Sequence, residues 1–374
     1  MKRCYIAQAE DKISTVAYPL ILEQLTENGK LIEPVLVIFN SDNANFSWYS
    51  RMLSNSFPTA TVIGETSNEL YSSKGVARIG ISVMAVTSGI SVTSGALFNV
   101  SRFPQRSADS IRAALDGIPR ENTVCLEFNA SVGNCEELVM DTFREVMEET
   151  DIPVCGCTAA PADNPDRQSA VSLNGIAYMD ACVFVMIHNE NGIVKVVKEN
   201  IFRPTEHFFT STDVDCDERR VYEFDHKSAA GVVASAMQIP EDELMINAFF
   251  HPVGRNEDGD LNIIAVKNVE EDKSMSFFSR IYNQTRVMLL DPIEPVEDVW
   301  ADTARSVHEA IPKPSFSFVI NCFSRIQYFT EMGKMLEYND SLTRDYGNYI
   351  GASGHGEQFQ YKHINQTMLV LAFE

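Results

Sequence analysis

One pattern that occurs three times constrains this chain more than any other feature. An apolar strand with a polar end leads into a helical run. A second apolar strand follows, breaking into a glycine turn with small or hydroxyl residues, then a loop and a last apolar strand. The first copy is Val35-Leu36-Val37-Ile38-Phe39-Asn40, a helix over 46–57, Thr61-Val62-Ile63 with the turn Gly64-Glu65-Thr66-Ser67, and a strand over 80–86. The second is Thr123-Val124-Cys125-Leu126-Glu127-Phe128-Asn129, a helix over 135–149, Val154-Cys155-Gly156-Cys157-Thr158, a polar loop over 161–168, and a strand over 181–187. The third is shorter, with a strand over 318–323, a helical run to about 338, the glycine step Tyr349-Ile350-Gly351-Ala352-Ser353, and a strand over 368–373. Unbroken apolar runs of this length are strands buried on both faces, and repeats at this spacing imply a sheet assembled from equivalent units. The expected fold class is therefore α/β, a two-domain protein with mixed β-sheets built from repeated β-α-β-β modules. The Phe-Asn ending of the first two lead strands aligns Asn40 with Asn129.

The remaining stretches fit around this pattern. Ile13, Val16, Leu20, Ile21 and Leu25 recur at helical spacing before Asn28-Gly29. Thr87-Ser88-Gly89 and Asn191-Gly192 read as hairpin turns joining the strands on either side of them. Residues 102–117 read as a helical connector with Ser107 as N-cap. Residues 196–312 depart from the repeat: a strand over 221–225, a helix over 228–237 stopped by Pro240, and β-rich runs over 244–250 and 261–266 around the turn Asn256-Glu257-Asp258-Gly259. A strand over 285–290 and a helix over 296–310 follow.

At 374 residues and 45% hydrophobic content, the chain can bury two cores of ordinary size. A net charge of -22 sets it against phosphate backbones and anionic lipid, so neither nucleic acid nor membrane is an expected partner. No run of apolar residues is long enough for a bilayer span, and Gln8, Glu10, Asp11 and Lys12 interrupt any signal-peptide region. Eight cysteines scattered mostly inside apolar segments suit free thiols in a reducing compartment. The expected location is the cytoplasm.

The densest chemistry lies in the last sixty or so residues, where Cys322, Arg325, Glu357 and His363 fall at strand ends and tight turns. Arg325 could grip a carboxylate bidentately, Glu357 could meet an ammonium, and His363 could donate or accept. The bland alternative is a partly buried ion pair holding two turns together. Gly351 and Ser353, Thr66 and Ser67, and Thr158 belong to glycine turns whose small residues let a ligand approach the backbone. Asn40 and Asn129 complete the candidate set. A thiol mechanism, with Cys322 as nucleophile, His363 as base and Glu357 orienting it, is the alternative chemistry. No dinucleotide or P-loop fingerprint is present, and no cofactor is expected. Cys155-x-Cys157 is spaced too closely for a zinc pair, and the run 256–260 lacks the glutamate that closes a calcium loop, so no metal is expected. His251, before Pro252-Val253-Gly254, is a strand-end histidine that could line a cleft.

Cys322 with Arg325, then Ile350-Gly351, Gly356-Glu357, His363-Ile364-Asn365 and Thr367 resemble the carboxy-terminal signature of the FIST sensory proteins. Val62-Ile63-Gly64-Glu65-Thr66-Ser67 is similar to the Gly-Cys-Ser-Thr turn of the amino-terminal FIST half, with Glu65 where a cysteine is usual. Pro153-Val154-Cys155-Gly156 and Asn174-Gly175 fall where that half has its second glycine turn and strand-leading Asp-Gly. The resemblance spans nearly the whole chain. It implies an amino-terminal-like domain over 1–199 and a carboxy-terminal-like domain over 200–374. It also implies a sensor that binds a small metabolite, an amino acid being the class that offers both charges. Signalling is expected in trans to a partner protein, with a homo-oligomer possible. The other expectations are an enzyme acting on an amide or amino-acid derivative, and a scaffold without ligand.

Overall fold

A computed structural model describes residues 3–42, 44–160, 168–257 and 259–374. The chain forms two compact units. The first comprises residues 1–198, 303–362 and 368–374, and the second comprises 199–302 and 363–367. These units are not the contiguous stretches 1–199 and 200–374. The chain leaves the first unit at Lys198 and re-enters it at Thr303, because the third copy of the repeat pairs with strands of the first two.

The first unit holds three six-stranded sheets, one centred on each copy of the repeat. Each sheet begins with an edge strand (Cys4–Ala9, Ile90–Phe98 or Val194–Asn200). Next to it lies a closing strand (Ile81–Val86, Ala181–Asn189 or Thr367–Phe373), then a lead strand (Leu36–Ser41, Thr123–Asn129 or Phe316–Cys322), then a glycine strand (Thr61–Thr66, Val154–Thr158 or Tyr349–Gly354). Lead and glycine strands run parallel, and the closing strand is antiparallel to the lead strand. The sheet is completed by a hairpin that belongs to another copy. Leu70–Ser72 of the first copy pairs with the third glycine strand, Val171–Leu173 of the second pairs with the first, and Glu357–Phe359 of the third pairs with the second. The exchange closes cyclically, so each repeat is completed only by its neighbours.

Alternation along these strands divides their side chains between two environments. Inward residues from all three sheets, among them Ile38, Ile63, Leu126, Val183, Phe318 and Leu371, form one buried cluster. The Phe128 and Phe318 rings meet there at 5.9 Å. Outward residues pack under helices: Val37 and Phe39 against Tyr49 and Leu53 of Phe46–Ser56, and Cys125 and Phe184 against Met140 and Phe143 of Glu136–Met147.

The second unit carries an eight-stranded sheet that includes Phe202–Asp215, Val253–Glu257, Asp260–Ile264 and Arg286–Pro292. Helix Ala229–Met237 packs over its core of Phe224, Val233, Val253, Phe277 and Leu289.

Several local expectations are corrected. Residues 244–250 form a helix, Leu244–Phe250, and not a strand. Pro240 and the acidic turn Glu241–Glu243 open it, and Leu244 and Ala248, one helical turn apart, are its buried residues. The stretches around Thr87-Ser88-Gly89 and Asn191-Gly192 are not hairpins, since the flanking strands lie in different sheets. There the chain crosses from one repeat to the next, and the first unit's exchanged hairpins fall between each glycine strand and its closing strand. Ser107 does occupy the N-cap position of the helix Ala108–Asp116, but its hydroxyl makes no capping bond and accepts the Phe98 N–H at 3.1 Å instead. The helical run after Cys322 is two helices, Phe323–Glu331 and Met335–Tyr346, separated at Gly333 with φ +67°. Most of the polar loop over 161–168, and Asp258 of the turn over 256–259, lie outside the described residues.

Candidate functional site

In each repeat the glycine of the glycine strand makes room for a large neighbour. A Cβ on Gly351 would lie 1.9 Å from the ring of Tyr71, the residue opposite it on the exchanged hairpin. Tyr71 in turn donates its hydroxyl proton to the Ala352 carbonyl at 2.6 Å and accepts from Asn321 Nδ2 at 3.1 Å. A Cβ on Gly156 would sit 2.1 Å from Glu127 Oε1, and one on Gly64 would meet the Phe39 ring at 2.3 Å. The glycine turns are therefore first of all packing devices.

Register also reassigns the asparagines. Ser41 stands opposite Thr66, Asn129 opposite Thr158, and Asn321 opposite Ser353. Asn129 is thus equivalent to Ser41, and Asn40 lies one residue earlier on the opposite face. Asn40 points inward and donates Nδ2 to the Gly351 carbonyl at 2.7 Å. Asn129 points outward, with Nδ2 3.6 Å from Cys135 Sγ.

The turn hydroxyls link one repeat to the next. Thr66 Oγ1 donates to the Ala160 carbonyl at 2.8 Å and accepts the Ala170 N–H at 3.1 Å. Ser67 Oγ donates to the Glu69 carbonyl at 2.8 Å and accepts the Ser353 N–H at 3.1 Å. Thr158 Oγ1 donates to Glu136 Oε1 at 3.3 Å and accepts from Gln358 Nε2 at 3.0 Å. Ser353 Oγ, Asn40 Oδ1 and Asn129 Oδ1 are buried with no hydrogen-bond partner among the described residues. Such atoms in a native fold call for water or a ligand.

Cys322 ends the third lead strand and stands opposite Gly354. A Cβ on Gly354 would lie 2.5 Å from Cys157 Cβ, and Cys157 stands opposite Glu357. Arg325 lies in the first turn of Phe323–Glu331 with 1% of its surface exposed. Its guanidinium carbon is 4.9 Å from the centre of the Phe329 ring and 5.6 Å from that of Tyr338, a cation–π setting. Glu357 is fully buried. The strand ends thus place Glu357, Cys157, Gly354 and Cys322 in succession, with Arg325 one turn further along. His363 is grouped with the second unit, where its Nε2 lies 3.0 Å from the Phe278 carbonyl, which fixes that nitrogen as the protonated one.

Three titratable groups were missed by the sequence reading. Glu65 and Glu127 are fully buried, and burial pushes each carboxyl up to about 8, so both are protonated at neutral pH. Glu65 Oε2 accepts the Cys157 thiol at 3.2 Å, and Glu127 Oε2 accepts the Cys182 thiol at 3.1 Å. Burial, reinforced by these carboxyls, raises both thiols well above their ordinary value. Neither is a thiolate nucleophile at neutral pH. The signal was available: an acid inside an otherwise apolar strand. His355 is the third. Its ring stacks on Phe323 at 5.3 Å, its Nε2 lies 3.3 Å from Asn68 Nδ2, and burial lowers it to about 4.

Among the described residues, no group of His, Cys, Asp and Glu is arranged to hold a metal, and no helix is long and apolar enough to cross a membrane. Compared with known families, residues 35–227 match the FIST N domain and residues 229–360 match the FIST C domain. No curated protein matches the chain.

Proposed function

The chain belongs to the FIST family of small-ligand sensory domains in signal transduction, and on that premise we propose that it binds an amino acid at the strand ends of the first unit and signals in trans to a partner protein. One observation carries the reading. The strand ends around Gly354 join a helix start bearing the buried Arg325 to a hairpin bearing the buried Glu357, and Ser353, the residue before Gly354, has an unpartnered buried hydroxyl. An amino acid presents a carboxylate to a guanidinium and an ammonium to a carboxylate, and its binding would satisfy a buried hydroxyl that costs about 1–3 kcal/mol when left unpaired. Cys322, Gly351, Thr66, Ser67 and Thr158 shape this region through the contacts above, and Asn40 holds the third glycine strand in place.

Calorimetric titration of the full chain with the common amino acids tests this proposal. A selective ligand should bind the parent protein, lose at least tenfold in affinity with Arg325→Lys, and lose several-fold with Ser353→Ala. Binding by no amino acid, or binding indifferent to Arg325→Lys in a folded variant, would overturn the reading. A homo-oligomer and the expected cytoplasmic location are separate matters, for sedimentation and for fractionation of the native source.

A further inference from the structure

The second unit contains a cleft of about 590 Å³ whose polar lining includes Arg203, His207, Asn247, His251 and Asp291. That volume lies within the range of small-molecule sites. A strand irregularity builds it. Strand Phe202–Asp215 pairs Pro204 with Leu290 and Phe208 with Met288, so residues 205–207 bulge against Leu289 alone. Thr205 Oγ1 pins the bulge by donating to the Leu289 carbonyl at 3.0 Å and accepting the His207 N–H at 3.1 Å. Bulges re-aim side chains, and here His207 is turned onto the cleft.

Arg203 supplies the positive charge of the cleft. Arg203 stands opposite Asp291 across the two strands. His251 Nδ1 donates to Asp291 Oδ1 at 3.0 Å, and the His251 backbone N–H donates to the Asn247 carbonyl at 2.8 Å. The Asp291 contact orients the imidazole and leaves Nε2 as an acceptor facing a ligand, able to share a proton that a carboxylate brings with it. Arg203 forms no ion pair and no side-chain hydrogen bond among the described residues, in a chain where acids outnumber bases 52 to 30. Met237 and Leu289 supply an apolar wall. Glu206 and Asp291 also line the cleft, and they repel a dianion such as phosphate more than a single carboxylate.

We propose that this cleft binds a small monocarboxylate with an apolar tail, its carboxylate, taken up together with one proton, held between Arg203 and His251 Nε2 and its tail against Met237 and Leu289. The site uses none of the residues assigned to the amino-acid site and does not rest on that reading.

The test is titration of the full chain with butyrate, hexanoate and 4-phenylbutyrate, followed by calorimetry or ligand-observed NMR, with hexanamide as the uncharged control and inorganic phosphate as the dianion. The carboxylates should bind with affinity rising along the tail series, and hexanamide and phosphate should each bind at least tenfold more weakly than hexanoate. Arg203→Gln, at an exposed position, should leave thermal stability unchanged and cost hexanoate at least tenfold, while His251→Gln should cost several-fold. The proposal fails if none of the carboxylates binds with a Kd below about 10 mM, a lenient limit for ligands of this size. It also fails if hexanamide equals hexanoate, or if Arg203→Gln leaves hexanoate binding unchanged.

Discussion

Glu65 illustrates how a single side chain can set the pH response of a core. A carboxyl raised to about 8 in the folded protein but ordinary in the unfolded chain holds its proton longer when folded. Between those two values the native state binds more protons than the unfolded state, so stability falls as pH rises through the window. The contribution is intact below the unfolded value near 4.5 and lost by about 8, and Glu127 behaves alike. His355 acts in the opposite sense. Its folded value of about 4 lies below its ordinary 6.5, so its contribution is present above 6.5 and lost as pH falls towards 4. Between pH 6.5 and 8 these two acids act and His355 does not. Urea denaturation across that interval should show stability falling by up to about 1.4 kcal/mol per pH unit for each acid. Glu65→Gln, which keeps the shape and cannot ionise, should flatten the slope by its share. A slope unchanged in Glu65→Gln would show that the carboxyl is not held protonated. At the same scale, Gly351→Ala would drive a methyl into the Tyr71 ring. It should cost about 1–3 kcal/mol or more, read as a lowered urea midpoint.

At the scale of elements, the sequence was most readable where local chemistry decides. Runs such as Leu36–Ser41 and Thr367–Phe373 are strands because their unbroken apolar stretches must be buried on both faces, and the helix Val296–Ala310 follows from its periodicity. Failures came where a neighbour decides. Leu244–Phe250 is rich in apolar residues and reads as a strand until the acidic turn before it is counted as a helix start. Gly333 breaks one helical run into two because its left-handed backbone stops the first helix after Glu331. A Cβ there would meet nothing within 4 Å, so only backbone strain is at stake. Gly333→Ala should destabilise by about 1 kcal/mol, and Gly333→Asn, which tolerates that conformation, by less. Thermal melts of the two variants would check the order.

At the scale of the whole molecule, an excess of 52 acidic over 30 basic residues acts on the folded state as self-repulsion. Raising sodium chloride from 10 to 150 mM shortens the Debye length from about 30 to about 8 Å. The melting temperature should rise accordingly, and a fall would mean that attractive pairs such as Arg220 with Asp272 outweigh the net charge. The sequence by itself determined the repeated strand–helix–strand–strand order, the placement of glycine at each second strand, and the family. These follow from side-chain polarity and backbone freedom, which act over a few residues. The tertiary structure alone decided that each hairpin completes another repeat's sheet, that Asn40 and Asn129 face opposite ways, that the third repeat rejoins the first unit at Thr303, and that Arg203, His251 and Asp291 line one cleft. Each depends on strand register between residues far apart in the chain. A shift of one residue would turn every side chain to the other face, and only the packed molecule selects the register that buries the apolar set.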